Sequence, residues 1–543
     1  MKIALAQLNY HIGNFEANTN KIISSIHEAR EQGAELVVFG ELSVCGYPPR
    51  DFLEFDDFLK RCAKSVQEIA KHCTDIAAVV GAPSVNPKVE GKNLFNSAYF
   101  LSDGKITSVH HKALLPTYDV FDEYRYFEPA TAFQCVTYKN TKIALTICED
   151  IWDVEDDLMY TRWPMEELIK ESPDLMINIA ASPFSHQHPA KRREVMKKNV
   201  ARYQLPLIYV QHVGAQTELI FDGGSMALSA SGKIVNELPY FSEALSIVAT
   251  DDIDEQQENL IDLNKYELIE QALVLGIKDY FNKMGFAKAI LGLSGGVDSA
   301  LVATLAVKAL GKENVLPVLL PSSYSSDHSV NDSIELCKNL ECRYEKISIA
   351  DGYDIMLKTL QPIFGDAPFN VAEENIQSRL RAVILMGIAN KHGYILLNTT
   401  NKSEAAVGYG TLYGDMCGGI AVIGDLYKTE VYELCRYINS NEIVIPENIL
   451  TKAPSAELRP NQKDSDSLPE YDILDALLYQ YIERRQGPQE LIKQGFDTAL
   501  VQRVLKMVNS NEWKRAQAPP ILRISYKAFG SGRRLPIVGK YLG

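Results

Sequence analysis

Short apolar runs that alternate with helical patterns dominate the first half of the chain. Apolar residues recur at helical spacing from about Phe15 to Gln32, and strand-length apolar runs rich in β-branched residues occur elsewhere. These runs are 3–8, 36–39, 76–80, 143–147, 175–179 and 207–210. Strands interleaved with helices are typical of layered α/β domains, so the pattern predicts such a domain here.

A second alternation of helices and strands follows in the other half of the chain. The predicted elements are a helix around 268–277, strands at 287–293 and 315–320, a helix at about 372–392 and a strand at 394–397. This βαβ alternation predicts a mostly parallel, doubly wound sheet. Such sheets bind nucleotides at the carboxyl ends of their strands, so we expect a ligand site there.

The clearest break in the pattern is the acidic stretch 251–259, which has no apolar periodicity. We therefore predict a first domain at 1–250, a linker at 251–262 and a second domain at 263–543. Two domains also suit the length, because 543 residues exceed the size at which one core keeps growing.

Composition and charge narrow the class of protein. The chain is 46% hydrophobic and 23% charged, with no run of eighteen apolar residues, which favours a soluble cytoplasmic protein without a membrane span. Its nine cysteines form no CxxC pair and no zinc-type spacing. The net charge of −15 argues against a nucleic-acid polymer as partner. A small phosphorylated substrate remains compatible, because the second half offers the basic residues Arg379, Arg381, Lys402, Lys428, Lys452, Arg459 and Lys463.

The hexapeptide SGGVDS at 294–299 lies directly after a predicted strand and opens a predicted helix. Backbone N–H groups at such a helix start bind anions, which suits phosphate. A P-loop would need a Gly-Lys-Ser/Thr ending, which is absent here. The segment resembles the pyrophosphatase loop of ATP-cleaving adenylating enzymes. That resemblance implies ATP contacts at Ser294, Gly295, Gly296, Asp298 and Ser299.

Three polar residues in the first half stand at or just beyond the ends of apolar runs. They are Glu41, Lys112 and Cys148. A cysteine thiolate can act as nucleophile, a glutamate can take its proton, and a lysine can stabilise a tetrahedral oxyanion. Together the three residues could hydrolyse an amide.

The first half up to about residue 250 resembles the nitrilase superfamily, whose Glu-Lys-Cys triad matches these three residues. The resemblance implies an αββα sandwich and a second carboxylate, Glu123, beside the triad. It also implies that Tyr118, Glu149 and Ser182 hold a glutamine substrate. After Ser182 the family commonly carries a Gly-Lys or Gly-Arg that this chain lacks, so the cation of the pocket stays open, with Arg192 and Arg193 as candidates.

Five later segments, together with SGGVDS, resemble the synthetase domain of NAD synthetases. They are 375–381, 397–404, 408–415, 425–428 and 452–464. The resemblance implies an adenine nucleotide alpha hydrolase-like fold with further ATP contacts at Arg379, Thr399 and Lys428, Mg²⁺ ligands at Asp298 and Glu404, and deamido-NAD contacts at Asn375, Asp415 and Lys463. The stretch 416–419 departs from the family pattern, which leaves the nicotinate-side contacts open.

The two resemblances together imply a homo-oligomeric enzyme that performs the last step of NAD biosynthesis. The first half would release ammonia from glutamine, and the second would adenylate deamido-NAD with ATP and amidate it, giving NAD⁺, AMP, pyrophosphate and glutamate. One alternative is another ATP-dependent glutamine amidotransferase, although Lys2 excludes the N-terminal cysteine of asparagine synthetases. The other is a regulatory nucleotide-binding protein with an inactive first half, which the intact triad disfavours.

Overall fold

The computed structural model describes residues 1–154, 159–440, 442–460 and 462–541. The chain divides into two compact units, Met1–Leu268 and Ile269–Gly543. Residues 251–262, predicted as a linker, lie within the first of these units. The Asn259 N–H donates to the Ile234 carbonyl and the Ile261 N–H to the Glu237 carboxylate.

The first unit contains two six-stranded sheets and a two-stranded ribbon. Its strands are β1 (Lys2–Gln7), β2 (Leu36–Val38), β3 (Ala77–Val85), β4 (Leu94–Ser102), β5 (Lys105–His111), β6 (Val136–Tyr138), β7 (Thr141–Ile147), β8 (Leu175–Ala180), β9 (Leu207–Gln211), β10 (Val213–Gln216), β11 (Leu219–Asp222), β12 (Met226–Leu228), β13 (Ile234–Glu237) and β14 (Ala244–Ala249). The sheet orders are β14-β1-β2-β3-β4-β5 and β13-β12-β9-β8-β7-β6, and β10 pairs with β11. The six strands predicted in this half are confirmed.

Helices cover both outer faces of the paired sheets. They are α1 (Phe15–Glu31), α2 (Asp56–Lys71), α4 (Pro164–Leu168) and α5 (His188–Tyr203), while the one-turn helix α3 (Glu123–Tyr126) begins at Glu123. Leu5 and Val38 of the first sheet share one buried cluster with Ile177 of the second, so the main core lies between the sheets. Alternate residues of the first sheet, such as Val37, pack against Ile22 of α1. The predicted αββα sandwich is therefore confirmed.

The second unit is built on a five-stranded parallel sheet. Its strands are β15 (Lys288–Gly292), β16 (Val315–Leu319), β17 (Glu345–Lys346), β18 (Tyr394–Asn398) and β19 (Ile420–Ala421), in the order β17-β16-β15-β18-β19. The strand order reverses between β15 and β18, which is where doubly wound sheets bind ligands. The predicted parallel, doubly wound sheet is confirmed.

Twelve helices belong to the described part of the second unit or begin at its boundary. They are α6 (Lys265–Met284), α7 (Val297–Leu310), α8 (Asp327–Asn339), α9 (Ala350–Phe364), α10 (Val371–His392), α11 (Lys402–Val407), α12 (Lys428–Ile438), α13 (Glu447–Thr451), α14 (Tyr471–Ile482), α15 (Pro488–Lys493), α16 (Thr498–Ser510) and α17 (Glu512–Arg515). A separate apolar cluster joins α11 with α14, α15 and α16. Within the described ranges, no helix has both the length and the apolar character needed to cross a bilayer.

Candidate active sites

The three triad residues of the first unit follow the ends of three different strands. Glu41 comes after β2, Lys112 directly after β5 and Cys148 directly after β7. All three side chains are buried. Lys112 Nζ lies 2.7 Å from Glu41 Oε1 and 2.8 Å from Glu123 Oε1. The structure thus gathers the lysine and both predicted carboxylates into one charged cluster.

Lys112 attracts both carboxylates of this cluster, while the two carboxylates repel each other. Burial lowers the pKa of Lys112, but the Glu123 and Glu41 carboxylates outweigh burial and raise that pKa well above its usual value. Burial raises the pKa of Glu123 to about 7, with a further contribution from the charge of Glu41 and against the opposing effect of Lys112. Lys112 therefore remains a cation, while Glu123 titrates close to neutral pH.

Cys148 begins a 3₁₀ turn, Cys148–Ile151, at the end of β7. Its φ of +45° lies in the left-handed region, an arrangement that often accompanies function in non-glycine residues. Burial and the charge of Glu41 raise the pKa of the Cys148 thiol well above its usual value, although Lys112 opposes them. The resting side chain is therefore a thiol, which needs a base to become a nucleophile.

Hydrogen bonds that the sequence did not indicate hold the two carboxylates in place. Asn96 Nδ2 on β4 donates to Glu41 Oε1 at 2.7 Å and to Glu123 Oε2 at 3.4 Å. The Ala181 N–H donates to Glu41 Oε2 at 3.0 Å, and the Tyr47 hydroxyl donates to Glu123 Oε1 at 2.8 Å. Each carboxylate is thus bound from more than one direction, which limits its rotation.

A third buried carboxylate, Asp150, links the segments that carry the lysine and the cysteine. It accepts hydrogen bonds from the N–H groups of Ala113 at 3.0 Å, Leu114 at 2.9 Å and Ile147 at 3.0 Å. The first two residues follow Lys112, and the third precedes Cys148. One side chain therefore ties together the segments that carry Lys112 and Cys148.

The residues assigned to glutamine lie beside the triad in sequence and in space. Glu149 follows Cys148 and accepts hydrogen bonds from the hydroxyls of Tyr118 at 2.9 Å and Tyr160 at 3.1 Å. Burial raises the pKa of Glu149. Ser182 follows Ala181, and its N–H donates to Gln211 Oε1 at 2.9 Å. Tyr160 was not indicated by the sequence.

Both arginines considered for the missing pocket cation are paired with carboxylates. The buried Arg192 binds Asp222 and the carbonyl of Gly223. Arg193 binds both carboxylate oxygens of Glu237. These pairs give both arginines structural partners within the first unit.

A cavity of about 450 Å³ opens at the ends of β15 and β18 in the second unit. Most residues assigned to ATP, metal or dinucleotide line it: Ser294, Gly296, Asp298, Ser299, Asn375, Thr399, Glu404, Asp415 and Lys428. Gly295, Arg379 and Lys463 are not among its lining residues. Arg379 and Lys463 are exposed, and Arg379 Nε donates to the Leu412 carbonyl at 3.2 Å.

The glycine-rich loop is shaped by its own hydroxyls and by one close backbone contact. The hydroxyls of Ser294 and Ser299 lie 3.1 Å apart, and the Gly296 N–H donates to Ser294 Oγ at 3.2 Å. Gly295 has a φ of +77°, and a Cβ there would lie 2.4 Å from the carbonyl oxygen of Ser329. Both the backbone conformation and the lack of space for a Cβ therefore require glycine at this position. Gly295 shapes the loop through its backbone.

Two carboxylates and an ammonium group meet at the floor of this cavity. Lys428 Nζ donates to Asp298 Oδ2 and lies 3.8 Å from Glu404 Oε1. Burial and the charge of Asp298 raise the pKa of Glu404 well above its usual value, against the effect of Lys428. In the described ranges, no three His, Cys, Asp or Glu side chains form a group that could hold a metal ion alone. The Asp298–Glu404 pair nevertheless fits Mg²⁺, which commonly takes one or two carboxylates together with substrate phosphates.

Asp415 and Asn375 meet through Thr411. The Thr411 N–H donates to Asp415 Oδ1 at 2.6 Å, and its hydroxyl donates to Asn375 Oδ1 at 2.6 Å. Burial raises the pKa of Asp415 to about 6. Two basic residues from the sequence survey, Arg381 and Lys452, also line the cavity, as does Lys514, which the sequence did not indicate.

The fold and the two sites define an enzyme with an amide-hydrolysing unit and a nucleotide-using synthetase unit. A family model described as carbon-nitrogen hydrolase matches residues 2–257, and one described as NAD synthase matches residues 269–518. The chain is 47% identical to a glutamine-dependent NAD(+) synthetase of Synechocystis sp., over 98% of each chain. It is 42% identical to the enzyme of the same name from Acinetobacter baylyi, over 99% of this chain and 98% of the relative.

Two solved structures of glutamine-dependent NAD(+) synthetases are also similar to this chain along almost its whole length. One is a glutamine-dependent NAD⁺ synthetase from Acinetobacter baumannii in complex with ADP, with 38% identity, a TM-score of 0.79 and coverage of 99% of this chain and 98% of the other. A synthetase of the same type from Cytophaga hutchinsonii, at 21% identity and a TM-score of 0.85, supports the fold, with the same coverage. The chain therefore belongs to the family of glutamine-dependent NAD(+) synthetases.

Proposed function

We propose that this chain hydrolyses glutamine in its first unit and, in its second, uses the ammonia and ATP to convert deamido-NAD into NAD⁺. The other products are glutamate, AMP and pyrophosphate. The observation that carries the proposal is the buried Glu41-Lys112-Cys148 set in the same chain as a cavity built around the SGGVDS loop. Neither site alone accounts for a reaction that needs both a nitrogen source and an activated carboxylate.

In the first unit, Glu41 takes the thiol proton of Cys148 as the sulfur attacks the side-chain amide of glutamine. Lys112 stabilises the negative oxygen of the tetrahedral intermediate. The proton then passes from Glu41 to the leaving nitrogen, and ammonia departs from a thioester on Cys148. Water, deprotonated by Glu41, attacks the thioester and releases glutamate.

Substrate recognition in this unit follows from the charges of glutamine. The buried Glu149 carboxylate, held by Tyr118 and Tyr160, suits the α-ammonium group of the substrate. The backbone around Ser182 offers hydrogen bonds beside it. Glu123 keeps Lys112 oriented and charged rather than reacting with substrate itself.

In the second unit, the carboxylate of deamido-NAD attacks the α-phosphorus of ATP, and pyrophosphate leaves. Ammonia then attacks the acyl carbon, AMP leaves, and the amide of NAD⁺ is formed. The loop hydroxyls of Ser294 and Ser299 and the N–H of Gly296 would bind phosphate oxygens, with Lys428 as a further cation. Bound Mg²⁺ would neutralise phosphate charge, held by Asp298 and Glu404.

Other residues assigned from the sequence have less direct support. Thr399 lines the cavity and suits an ATP contact, whereas the exposed Arg379 would have to move or serve another part of the nucleotide. Asn375 and Asp415 suit the dinucleotide. Lys463 is also exposed, and its contact with deamido-NAD stays a prediction.

Several large apolar side chains on α9 and α10 are exposed, which suits the proposed homo-oligomer. They are Ile355, Met356, Ile363, Val371, Val383 and Met386, and Val383 and Ile363 are 68% and 82% exposed. Burial of such side chains against another protein surface would remove apolar area from water. We propose that a second copy of the chain covers them. A cytoplasmic location stays a prediction from the sequence.

The test supplies ATP, Mg²⁺ and deamido-NAD with either glutamine or an ammonium salt, and measures NAD⁺. We expect Cys148→Ala to lose glutamine-driven synthesis and to keep ammonia-driven synthesis, while Cys135→Ala, at a half-buried cysteine of the same unit, keeps both. Equal loss of both activities in Cys148→Ala would contradict the division of labour. Glutamine hydrolysis without NAD⁺ from either nitrogen source would favour another amidotransferase.

A further inference from the structure

One buried carboxylate in the second unit joins the two segments that carry Glu404 and Lys428. Asp475, on α14, is 5% exposed. Its Oδ1 accepts a hydrogen bond from Ser403 Oγ, and its Oδ2 accepts from both the N–H and the hydroxyl of Thr429, each at 2.9 Å. Its two oxygens therefore bind residues on two different helices, α11 and α12.

The two partners of Asp475 are sequence neighbours of the site residues. Ser403 precedes Glu404 on α11, and Thr429 follows Lys428 on α12. The Lys428 N–H also donates to Ser403 Oγ at 2.9 Å, which closes a small ring of hydrogen bonds. Asp475 is not among the residues that line the cavity, so it acts only through these neighbours.

We propose that Asp475 is a positioning residue that sets how Glu404 and Lys428 face Asp298 and the phosphates of ATP. This inference rests on the proposed function of that site. Lys428 on α12 contacts Asp298 on α7 and lies 3.8 Å from Glu404 on α11, so a small displacement of α11 against α12 changes how Glu404 faces the Lys428–Asp298 pair. A carboxylate shared by the two helices prevents that displacement.

The substitution Asp475→Asn tests the bridge with little change in volume. All three donors that face Asp475 need acceptors, and an amide can present only one oxygen. If that oxygen accepts from Thr429, the amide NH₂ faces Ser403 Oγ, whose own hydrogen then loses its partner. Ser403 Oγ can still accept from that NH₂ beside the Lys428 N–H, so we expect the link between α14 and α11 to weaken while the link to α12 persists.

Glu483 provides the matched control in the same part of the unit. It directly follows α14, is 7% exposed and accepts a hydrogen bond from Lys402 Nζ at 2.8 Å. Lys402 keeps two other partners, Asp425 at 2.9 Å and Ser525 at 2.8 Å. Glu483→Gln therefore weakens a buried contact to α11 without touching Ser403 or Thr429.

The experiment measures ammonia-driven NAD⁺ formation against ATP and Mg²⁺ concentration for the natural chain and both variants. We expect Asp475→Asn to raise the ATP KM and the half-saturating Mg²⁺ concentration about tenfold and to lower kcat, with changes below about threefold in Glu483→Gln. A purely structural role would lower the active fraction and the unfolding temperature but leave both concentration dependences unchanged, and that result would overturn the proposal.

Two additions keep the test decisive. Ser403→Ala removes one link of the bridge without adding a donor, so it should shift the same two parameters even if Asp475→Asn folds poorly, and normal values in a folded Ser403→Ala would contradict the bridge. Calorimetric binding of a non-hydrolysable MgATP analogue gives the same comparison without turnover. A chain that made no NAD⁺ would contradict the proposed function. The affinities of the natural chain and the variants for the MgATP analogue would still test the role of Asp475.

Discussion

Lys112 Nζ lies 2.7 Å from Glu41 Oε1, and neither side chain has any exposed surface. A buried ion pair contributes little net stability, but removal of one partner leaves a charge in an apolar environment at a cost of about 3–5 kcal/mol. The lysine also serves Glu123, so its loss would leave two carboxylates without a cation. We therefore expect the stability of the first unit to depend on Lys112, in addition to the catalytic role proposed for it.

We expect Lys112→Met to abolish glutamine hydrolysis and to lower the thermal unfolding temperature, more at high pH than at low pH. The pKa of Glu123 already exceeds its unfolded value, so the native state binds protons more tightly than the unfolded chain, and stability falls as pH rises from about 4.5 to about 7. Lys112 lowers the pKa of Glu123, so this pKa is higher in the variant. The loss of stability with rising pH therefore continues to a higher pH in the variant than in the natural chain. The difference in unfolding temperature between variant and natural chain should widen as pH rises through about 7, where the natural chain loses the Glu123 proton and the variant still holds it. A constant difference would contradict this account.

Glu123→Gln should change the pH dependence of glutamine hydrolysis. In the natural chain the pKa of Glu123 is about 7, and a proton there reduces the negative charge near Glu41 and weakens the base. We therefore expect kcat/KM to fall as pH drops through about 7. In Glu123→Gln that inflection should disappear, together with a lower maximum rate because Lys112 loses a partner. The measurement is a pH–rate profile of both chains, and an unchanged inflection in the variant would assign it to another group.

Glu41 and Cys148 stand just beyond apolar runs, whereas Lys112 is assigned from its match to the nitrilase triad. Asn96 gives no such signal, because its contact with Glu41 arises only when β4 pairs between β3 and β5. Strand β5 itself escaped prediction, since its first three residues are exposed and its sequence is largely polar. Contacts that depend on strand pairing across the sheet cannot be read from local composition.

In the second unit, too, local sequence patterns predicted some features and could not reveal others. The SGGVDS loop and the parallel sheet followed from local patterns, because an apolar strand, two glycines and a helix are consecutive in the chain. Asp475 lies more than forty residues from both of its partners, so no local pattern connects them. The expected roles of Arg379 and Lys463 came from sequence alone, and their exposure shows that a matching residue does not ensure a cavity-lining side chain.

Removal of divalent cations should separate the two activities. We expect an excess of EDTA to abolish ammonia-driven NAD⁺ synthesis and to leave glutamine hydrolysis unchanged, because the carboxylate pair suited to Mg²⁺ lies in the second unit. Added Mg²⁺ should restore synthesis, and Asp298→Asn should need a higher Mg²⁺ concentration for half-maximal rate. Synthesis that persists in EDTA would contradict the proposed metal requirement.

Gly295→Ala should weaken ATP binding by changing the shape of the loop. A φ of +77° costs a non-glycine residue about 1–2 kcal/mol, and the added Cβ would lie 2.4 Å from the Ser329 carbonyl, a backbone atom that cannot rotate away. Because the backbone must move, the positions of Ser294 and Gly296 change with it. We therefore expect at least a tenfold higher ATP KM, which corresponds to about 1.4 kcal/mol.

The matched control is Gly387→Ala, at an exposed position inside α10 where an added Cβ has no neighbour within 4 Å. Alanine there should raise the unfolding temperature slightly, by the helix preference of about 0.5–1 kcal/mol, and leave the ATP KM unchanged. A normal ATP KM in Gly295→Ala would show that the loop tolerates the displacement, and the tight contact with Ser329 would then matter for stability alone.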